Sequence, residues 1–249
     1  MRALVTGASS GIGRDMARYL SKLGYDLIIV AQREERLIEL KEELKTNVQV
    51  ISMDLSIKEN CINLYKSIKN QEIDLLINNA GFGEFGTFNE TDLEKEIKLI
   101  NTNITAVHIL TKLFLKDMKK VNKGRILNVA SVAGFAPGPL MAAYYSSKAY
   151  VLRLSQAIYT ELKKDKSNVH ISVLCPGPIA TEFNDVAGVK FTLKPLSSEY
   201  VAKYAIDKTL KNKPMIIPGL LNKMMIMLTK VAPSKLTARI VYRNQKKKR

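Results

Sequence analysis

The chain has 249 residues and is 46% hydrophobic and 25% charged, a composition that excludes disordered and collagen-like chains and is typical of globular proteins. Its length allows one large domain or two small ones. No low-complexity linker or repeat divides it, so we expect one domain, with a main part over residues 1–219 and a basic extension over residues 220–249.

The net charge of +16 raises the question of a nucleic-acid or membrane partner. The lysines are spread along the chain, and only the final "RNQKKKR" is a basic block, which is more often a solvated tail than a binding element. Binding of nucleic acid by charge would depend steeply on salt. Because no segment suits the recognition of bases, we expect no nucleic-acid partner.

Cysteine, histidine and terminal segments set further limits. Cys61 and Cys175 lie far apart without a C-x-x-C motif, which argues against a secreted disulfide framework. His108 and His170 are isolated, so no metal site is predicted. The opening "MRALVTG" enters a strand pattern at once, so we expect no signal peptide. The apolar stretch "LLNKMMIMLTKVA" is interrupted by lysines and is too short to span a bilayer. We therefore expect a cytoplasmic protein.

Short apolar runs alternate with longer helical patterns along the chain. Continuous apolar runs are typical of strands buried on both faces of a parallel sheet. The alternation predicts an α/β fold, a Rossmann-type doubly wound sheet of seven mostly parallel strands with helices on both faces. Thr91 and Glu94 predict a capping box at the start of the fourth helix. Strands are predicted over residues 2–7, 26–31, 48–53, 73–79, 124–131, 169–176 and 214–219, and helices over 11–24, 34–46, 56–70, 91–119, 144–166 and 197–211.

The first strand runs into the glycine-rich stretch "TGASSGIG". Ligands of such sheets bind beyond the carboxyl ends of the strands. Gly7 would permit a tight exit from the strand, Gly11 a close approach to a pyrophosphate, and Gly13 close packing of the next helix, whose N-terminus would face the phosphates. A tight turn without a ligand is the alternative. The predicted contacts are Gly7, Ser9, Ser10, Gly11, Ile12 and Gly13.

The end of the second strand carries the signal for cofactor choice. Proteins that prefer NAD place an acidic residue there to bind the ribose hydroxyls. This chain has Ala31, Gln32 and Arg33 at that point, and Arg33 could pair with a 2′-phosphate. NADP(H) is therefore the expected cofactor, with NAD(H) as the alternative.

The third and fourth strands also end in candidate site residues. Asp54, followed by Leu55, either accepts from the adenine amine or caps the next helix. The fourth strand ends in "INNAG", where Asn78 and Asn79 bring amides to the strand end. Ala80 and Gly81 are small where backbone would pass close to a ligand, although asparagines in such turns can be purely structural.

Ser131 at the end of the fifth strand selects one of several Tyr-x-x-x-Lys pairs. Tyr144 and Lys148 follow it on one face of a helix, whereas Tyr145 is rotated by about 100° from Tyr144 and is expected to pack. The same spacing recurs without such a partner at Tyr65/Lys69, Tyr159/Lys163 and Tyr242/Lys246.

Together these motifs resemble the short-chain dehydrogenase/reductase family over about residues 2–219. The T-G-x-x-x-G-x-G motif of that family matches Thr6, Gly7, Gly11 and Gly13, and its N-N-A-G motif matches residues 78–81. Its catalytic Ser and Y-x-x-x-K motif match Ser131, Tyr144 and Lys148. Its P-G motif matches Pro176 and Gly177. The catalytic Asn of the family resembles Asn103. Gln32 stands where the family most often carries its cofactor-selecting Arg.

The resemblance implies an NAD(P)-dependent oxidoreductase. A phenol has an unperturbed pKa of about 10, and the Lys148 ammonium is expected to lower the pKa of Tyr144, which acts as general acid or base. Ser131 would bind the substrate oxygen. The family also implies that Lys148 binds the nicotinamide ribose, that Asn103 holds a proton-relaying water, and that the cofactor contacts Asn79, Ala80, Gly81, Pro176, Gly177, Ile179 and Thr181.

Apolar loops predict the substrate class. Residues 81–90, 134–144 and 177–196 suggest a lipophilic carbonyl or secondary alcohol, unless their apolar side chains only pack the loops. These side chains are Phe82, Phe85, Phe135, Met141, Phe183, Val186, Val189 and Phe191. The family implies a homodimer or homotetramer. A Rossmann-type sensor that binds NADP(H) without turnover is the alternative function.

The segment after residue 219 mixes apolar and basic residues around Pro233. Such a segment could lie on an anionic membrane surface, cover the substrate pocket, or form a subunit interface. The sequence leaves these three possibilities open.

Overall fold

A computed structural model of the protein describes residues 1–182 and 195–246. A seven-stranded sheet with the strand order β3-β2-β1-β4-β5-β6-β7 forms its centre, and all six strand pairings are parallel. The predicted fold class is confirmed. The strands are β1 (Arg2–Thr6), β2 (Asp26–Ala31), β3 (Val48–Ser52), β4 (Leu75–Asn78), β5 (Gly124–Val129), β6 (Val169–Leu174) and β7 (Met215–Ile216).

Helices connect the strands and cover the sheet. In the described residues they are α1 (Gly11–Lys22), α2 (Glu34–Glu43), α3 (Lys58–Ile68), α4 (Leu93–Ile100), α5 (Val107–Val121), α6 (Ala142–Lys164), α7 (Ser198–Leu210), α8 (Leu220–Val231) and α9 (Ser234–Lys246). A π-helical segment, Asn101–Ala106, joins α4 to α5, and a short 3₁₀ helix, Val132–Phe135, follows β5.

Each strand contributes side chains to two separate cores. In β1, Ala3 and Val5 pack into the layer of α1, α2 and α7, whereas Leu4 packs into the layer of α3 and α5. Successive side chains of a strand point to opposite faces, and both faces are covered here. This double burial explains why the strands are continuous apolar runs.

The strand order reverses between β1 and β4. The chain passes from β1 outward to β2 and β3 and then returns to the other side of β1. The loops after β1 and β4 therefore diverge and leave a crevice at the carboxyl edge of the sheet, where ligands of this architecture bind.

The structure corrects several predicted boundaries. The predicted helix over 91–119 is divided into α4, the π-helical segment and α5. Strands β5 and β6 end two residues early, so Ser131 lies beyond β5 as the N-cap of the 3₁₀ helix. The predicted seventh strand over 214–219 keeps only two residues because Pro214 and Pro218 flank it and cannot donate ladder hydrogen bonds.

The predicted capping box at Thr91 is also wrong. Asp92 is the N-cap of α4, and its carboxylate accepts a 2.7 Å hydrogen bond from the Lys95 backbone N–H. The Thr91 hydroxyl instead donates to Glu96 at 2.9 Å. A carboxylate one residue downstream takes the capping role because it, too, can accept from the free N–H groups of the first turn.

Residues 220–246 form a pair of helices, α8 and α9, broken after Val231 by Pro233. No helix in the described part of the chain combines the length and apolar character needed to cross a membrane. The division of the domain at residue 219 remains a prediction.

Candidate active site

A cavity of about 870 Å³ opens at the crevice between β1 and β4. Residues after six different strands, β1 to β6, line it, together with side chains from the two C-terminal helices. Most of the site residues predicted from sequence therefore meet at one place, because parallel strands bring all their carboxyl ends to one edge.

The glycine loop after β1 forms one wall of this cavity. Gly7 adopts φ +67°, which favours glycine, and a Cβ at Gly13 would lie 2.3 Å from the Gly7 carbonyl oxygen. Ser9, Ser10, Gly11 and Ile12 line the cavity. The N-terminus of α1, with its free N–H groups, begins here, which is the geometry of an anion site.

Thr6 and Asn79 fasten the glycine loop to the end of β4. The Thr6 hydroxyl accepts from the backbone N–H groups of Asn79 and Ala80 at 3.0 and 3.1 Å. The Asn79 amide donates to the carbonyls of Thr6 and Gly7 at 3.0 and 3.1 Å. Asn79, Ala80 and Gly81 line the cavity. These contacts fix the position of the glycine loop relative to the end of β4, on the other side of the crevice.

Asn78, by contrast, points into the protein interior. Its amide donates to Thr111 at 3.0 Å and to Asn128 at 2.8 Å, and Asn128 in turn donates to Ser155 at 3.0 Å. All four side chains are buried. This polar network links β4, β5, α5 and α6 behind the site and has a structural role.

At the end of β2, Arg33 lies at the rim of the cavity. Its guanidinium donates to the Ser9 hydroxyl at 3.2 Å and pairs with Glu182 at 3.0 Å. Arg36, one turn along α2, pairs with the other carboxylate oxygen of Glu182. The two guanidinium groups lower the pKa of Glu182, Arg36 having the larger effect. Arg33 thus joins the glycine loop to the segment after β6.

Asp54 is not the N-cap of α3, and its contact with the adenine amine stays a prediction. Its carboxylate accepts from the Ser56 backbone N–H at 2.8 Å and the Ser56 hydroxyl at 2.7 Å, and it pairs with Lys98 at 3.2 Å. This is a local turn, and the N-cap of α3 is Ile57. Leu55 lines the cavity, whereas Asp54 is not among the described lining residues.

Ser131, Tyr144 and Lys148 lie together at the cavity wall. The Ser131 hydroxyl hydrogen-bonds the Tyr144 hydroxyl, and its oxygen accepts from the Ala133 backbone N–H at 3.1 Å. Lys148 is only 5% exposed; its Nζ donates to the Val129 carbonyl at 3.0 Å and lies 5.8 Å from the centre of the Tyr144 ring. The ends of β5 and one face of α6 assemble this group.

Burial dominates the protonation of this group. It raises the pKa of Tyr144 to about 12, although the Ser131 hydrogen bond acts in the opposite direction. Burial also lowers the pKa of Lys148 to about 8. The expectation that Lys148 lowers the pKa of the phenol is therefore not met here, because the cost of burying a phenolate is the larger effect. At neutral pH the Tyr144 phenol therefore keeps its proton.

Asn103 lies in the π-helical segment and is fully buried. Its amide nitrogen donates to the Phe82 carbonyl at 2.9 Å and the Ser147 hydroxyl at 3.0 Å, while its oxygen accepts from the Phe82 backbone N–H at 3.1 Å. Single-turn π segments are frequent at functional sites. Here the segment holds the chain after β4 against α6.

The loop after β6 closes the opposite side of the cavity. Pro176, Gly177, Ile179 and Thr181 line it, and the Ser131 hydroxyl lies 3.4 Å from the Pro176 carbonyl. A Cβ at Gly11 would lie 3.1 Å from the Thr181 methyl group. The loop after β6 therefore closes directly onto the glycine loop.

Apolar residues predicted for the substrate side are divided by the structure. Phe82, Phe135 and Met141 line the cavity. Phe85 packs against Met141, with the two tyrosines of α6 in the same cluster. Phe183, Val186, Val189 and Phe191 lie outside the described residues.

The C-terminal helices supply site residues that the sequence analysis did not identify. Gln245 is 2% exposed, and its amide donates to the Tyr145 hydroxyl at 2.9 Å. Its amide oxygen is buried and has no hydrogen-bond partner among the residues that the structure describes. Helical spacing offered a signal, because Thr237, Val241 and Gln245 form a stripe with four-residue spacing. The residues of α8 and α9 that line the cavity are Met225, Ile226, Thr229, Val241, Asn244 and Gln245.

The other Tyr-x-x-x-Lys pairs lie elsewhere. Tyr65 donates to Asp117 on α5, and Tyr242 is exposed on α9. The spacing also occurs at Tyr204/Lys208 on α7, where the ammonium lies 5.4 Å from the ring centre. In the described residues, no cluster of three His, Cys, Asp or Glu side chains could hold a metal ion.

Comparison with known proteins identifies the family. Residues 1–189 match the family model described as short chain dehydrogenase. An uncharacterised oxidoreductase of Staphylococcus epidermidis is 31% identical over 185 residues, 74% of this chain and 80% of that protein. Very-long-chain 3-oxoacyl-CoA reductase-A of Danio rerio is 34% identical over 210 residues, which cover 80% of this chain and 64% of the relative.

A solved structure agrees with these sequence matches. A short-chain dehydrogenase from Sphingobium yanoikuyae, in complex with NADPH, superimposes with a TM-score of 0.81 at 29% identity and covers 93% of this chain and 96% of that one. Relatives named as oxidoreductases do not favour the alternative of a sensor without turnover.

The residues of the site fit a nicotinamide dinucleotide. The glycine loop has no room for a Cβ at residue 13, the α1 N-terminus begins at the cavity, and the Arg33 guanidinium lies at its rim. These features suit a pyrophosphate and an adenosine ribose. The chain belongs to the short-chain dehydrogenase/reductase family and is an NAD(P)-dependent oxidoreductase.

Proposed function

We propose that the protein transfers hydride between NADP(H) and a lipophilic carbonyl or secondary alcohol, with Tyr144 as general acid and base. The observation that carries this proposal is the hydrogen bond between Ser131 and Tyr144 at the cavity wall, with buried Lys148 on the same helix face. The cofactor, when bound, supplies the hydride chemistry.

In the direction of reduction, Tyr144 donates its proton to the substrate oxygen, and in oxidation it takes that proton back. A phenol whose pKa is raised to about 12 is protonated throughout the neutral range, which suits reduction. Ser131 donates to the same oxygen as negative charge develops there. Lys148 remains an ammonium below its pKa of about 8 and holds the ribose of the nicotinamide.

Asn103 is proposed as a relay residue that holds a water near Lys148. A Cβ at Gly81 would lie 2.7 Å from the Asn103 Oδ1 and 3.4 Å from the Lys148 Nζ, so the two polar groups flank the same small residue. The Asn103 oxygen accepts one protein hydrogen bond and has a second lone pair to offer.

The preference for NADP(H) is supported by Arg33. Its guanidinium joins the glycine loop at Ser9, and its planar fork suits a phosphate. No acid occupies positions 31–33, so no carboxylate at the end of β2 would repel a 2′-phosphate.

The lipophilic substrate is supported by the lining of the cavity. Phe82, Phe135 and Met141 face it from one side, and Met225, Ile226 and Val241 face it from the C-terminal helices. Apolar linings with a few polar groups are typical of sites for apolar molecules. The Danio rerio relative, named as a very-long-chain 3-oxoacyl-CoA reductase, agrees with an extended apolar substrate.

A screen of ketones, aldehydes and 3-oxoacyl thioesters of increasing chain length tests this function through oxidation of NADPH and NADH. We expect kcat/KM to rise with chain length and NADPH to be preferred. Uniform rates across chain lengths would contradict the lipophilic substrate, and preference for NADH would contradict the cofactor choice. A sensor would show cofactor binding with no turnover of any compound.

We also propose a homodimer or homotetramer in the cytoplasm. Leu93, Ile97 and Ile100 expose apolar side chains on α4, which would suit a subunit contact. Cys61 and Cys175 are buried and unpaired, as suits a reducing compartment. Light scattering of the purified chain measures the assembly, and a monomeric mass would contradict it.

A further inference from the structure

The two C-terminal helices have distinct inner and outer faces. Asn222 and Ile226 of α8 and Thr237 and Gln245 of α9 are buried against the rest of the protein. The solvent-exposed sides carry apolar side chains on α8 and both apolar and basic side chains on α9. From them we propose that the outer face of α8 and α9 docks on the surface of an anionic lipid bilayer.

Apolar exposure on this outer face is extensive. Met227 is 69% exposed and Val231 is 81% exposed. Contiguous exposed apolar side chains of this kind mark interaction surfaces rather than ordinary solvent-facing surface. The outer face, as we define it, consists of Leu220, Leu221, Met224, Met227, Leu228, Val231, Leu236, Ile240 and Tyr242.

Positive charge surrounds the outer face. Residues 220–249 contain six lysines and three arginines and no aspartate or glutamate. Lys223, Lys235, Arg239, Arg243 and Lys246 are exposed, and none of these five forms an ion pair with the residues that the structure describes. A helix with an apolar side and basic flanks binds in the interface of anionic lipids.

The charge pattern favours lipid over a second copy of the chain. Two copies joined through this face would bring two sets of nine basic residues together without acidic partners in the same segment, and like charges at an interface oppose association. Helices of 12 and 13 residues are also too short to span a bilayer of about 30 Å. Docking of both helices in the plane of an anionic bilayer surface brings no like charges together and does not require a helix to span the bilayer.

The inner face of the same helices adjoins the active-site cavity. Ile226, Val241 and Gln245 line the cavity, whereas Met227 and Ile240 on the same two helices are exposed to solvent. A bilayer in contact with the outer face would therefore lie one helix away from the site. The entry of lipophilic substrates from the bilayer rests on the proposed function, whereas the docking itself does not.

Co-sedimentation of the full chain with vesicles tests the docking. Vesicles of phosphatidylcholine with about 30% phosphatidylglycerol should retain the protein, and phosphatidylcholine alone should retain much less, because the basic residues need an anionic surface. Salt at about 0.5 M should weaken the binding by screening. Recovery that is equal with and without vesicles would overturn the proposal.

Variants of the outer face separate its apolar and charged parts. The double variant Leu221→Glu/Leu228→Glu should bind anionic vesicles at least about tenfold more weakly, since two negative charges replace apolar side chains that the bilayer would bury. Val121→Glu, an exposed apolar site at the far end of α5, is the control and should bind like the original protein. Equal loss in both variants would show that added negative charge alone is responsible and would contradict docking through this face.

The charge contribution is tested by Lys223→Glu/Arg239→Glu. It should weaken binding about tenfold or more, whereas Lys163→Glu/Lys164→Glu, with the same charge change at the exposed end of α6, should not. Equal weakening would mean that only net charge matters. Binding should be unchanged in Tyr144→Phe, so that failure of the proposed chemistry leaves the docking test intact. If vesicles do not bind the original protein and Leu221→Glu/Leu228→Glu reduces its self-association, the outer face belongs to a contact with a second copy, and the proposal is overturned.

Discussion

The Gln245 side-chain amide donates a 2.9 Å hydrogen bond to the hydroxyl of Tyr145, which joins the last helix to the residue beside Tyr144. The same amide nitrogen lies 3.5 Å from the Met141 sulfur. The C-terminal helix is thus attached to the N-terminal turn of α6, where the candidate catalytic side chain is located.

Replacement Gln245→Leu should loosen this attachment. The Tyr145 hydroxyl would lose its partner at a site where burial already raises the pKa of that phenol, and an unsatisfied buried group costs about 1–3 kcal/mol. We expect a lower Tm and a higher KM for lipophilic substrates, with the affinity for NADPH unchanged. Lys246→Ala, at the exposed position on the other side of Gln245, is the control, because Lys246 is not among the residues that line the cavity. An unchanged KM and Tm in Gln245→Leu would show that the contact has no role.

Arg33→Ala should raise the KM for NADPH and leave the KM for NADH nearly unchanged. A charge-assisted contact with phosphate at a half-exposed site contributes about tenfold in affinity. Arg36→Ala is the matched control, because Arg36 also pairs with Glu182, whereas only Arg33 contacts Ser9. If both variants raise the KM for NADPH equally, the increase comes from loss of the ion pair with Glu182 and not from loss of a contact between Arg33 and the phosphate.

Glu182→Gln should have the opposite effect on NADPH. Its carboxylate forms an ion pair with the Arg33 guanidinium at 3.0 Å and would compete with a 2′-phosphate for that guanidinium. Removal of the charge should therefore lower the KM for NADPH several-fold at low salt, with the effect reduced at high salt. A higher KM would mean that Glu182 positions Arg33 instead of competing for it.

The pH dependence should reflect Lys148. Its pKa is lowered by burial to about 8, and the ammonium is the form that the proposal requires. Since the charged form exists below the pKa, kcat/KM for NADPH should fall as pH rises through about 8. The pKa of Tyr144 is about 12, so loss of the phenol proton should not limit reduction in this range. Lys148→Arg should move the fall to higher pH; the same profile in that variant would exclude Lys148 as its source.

The fold and the part of the site at the strand ends and on α6 were predictable because both depend on local patterns. Continuous apolar runs showed which strands are covered on both faces, and strand ends placed Gly7, Asn79 and Ser131 at one edge. Helical spacing then put Tyr144 and Lys148 on one face. These relations use only the period of a helix or strand and the topology of a parallel sheet.

Other parts of the site depend on contacts between distant residues. Gln245 and Tyr145 are 100 residues apart, and Glu182 and Arg33 are 149 apart, so no local pattern indicates either contact. The π-helical segment at Asn103 was hidden within an apolar pattern that suits a continuous helix. The raised pKa of Tyr144 follows from tertiary burial, which the Tyr-x-x-x-Lys spacing does not show.

The central claim is tested most directly by rapid single-turnover reduction in Tyr144→Phe, with Tyr145→Phe as the matched neighbour and NADPH binding followed by fluorescence. Loss of a general acid typically costs about 10²- to 10⁴-fold. We predict that the hydride-transfer rate falls by that factor in Tyr144→Phe alone, while both variants bind NADPH like the original protein. A rate in Tyr144→Phe equal to that in Tyr145→Phe would contradict the assignment of Tyr144 as the proton donor.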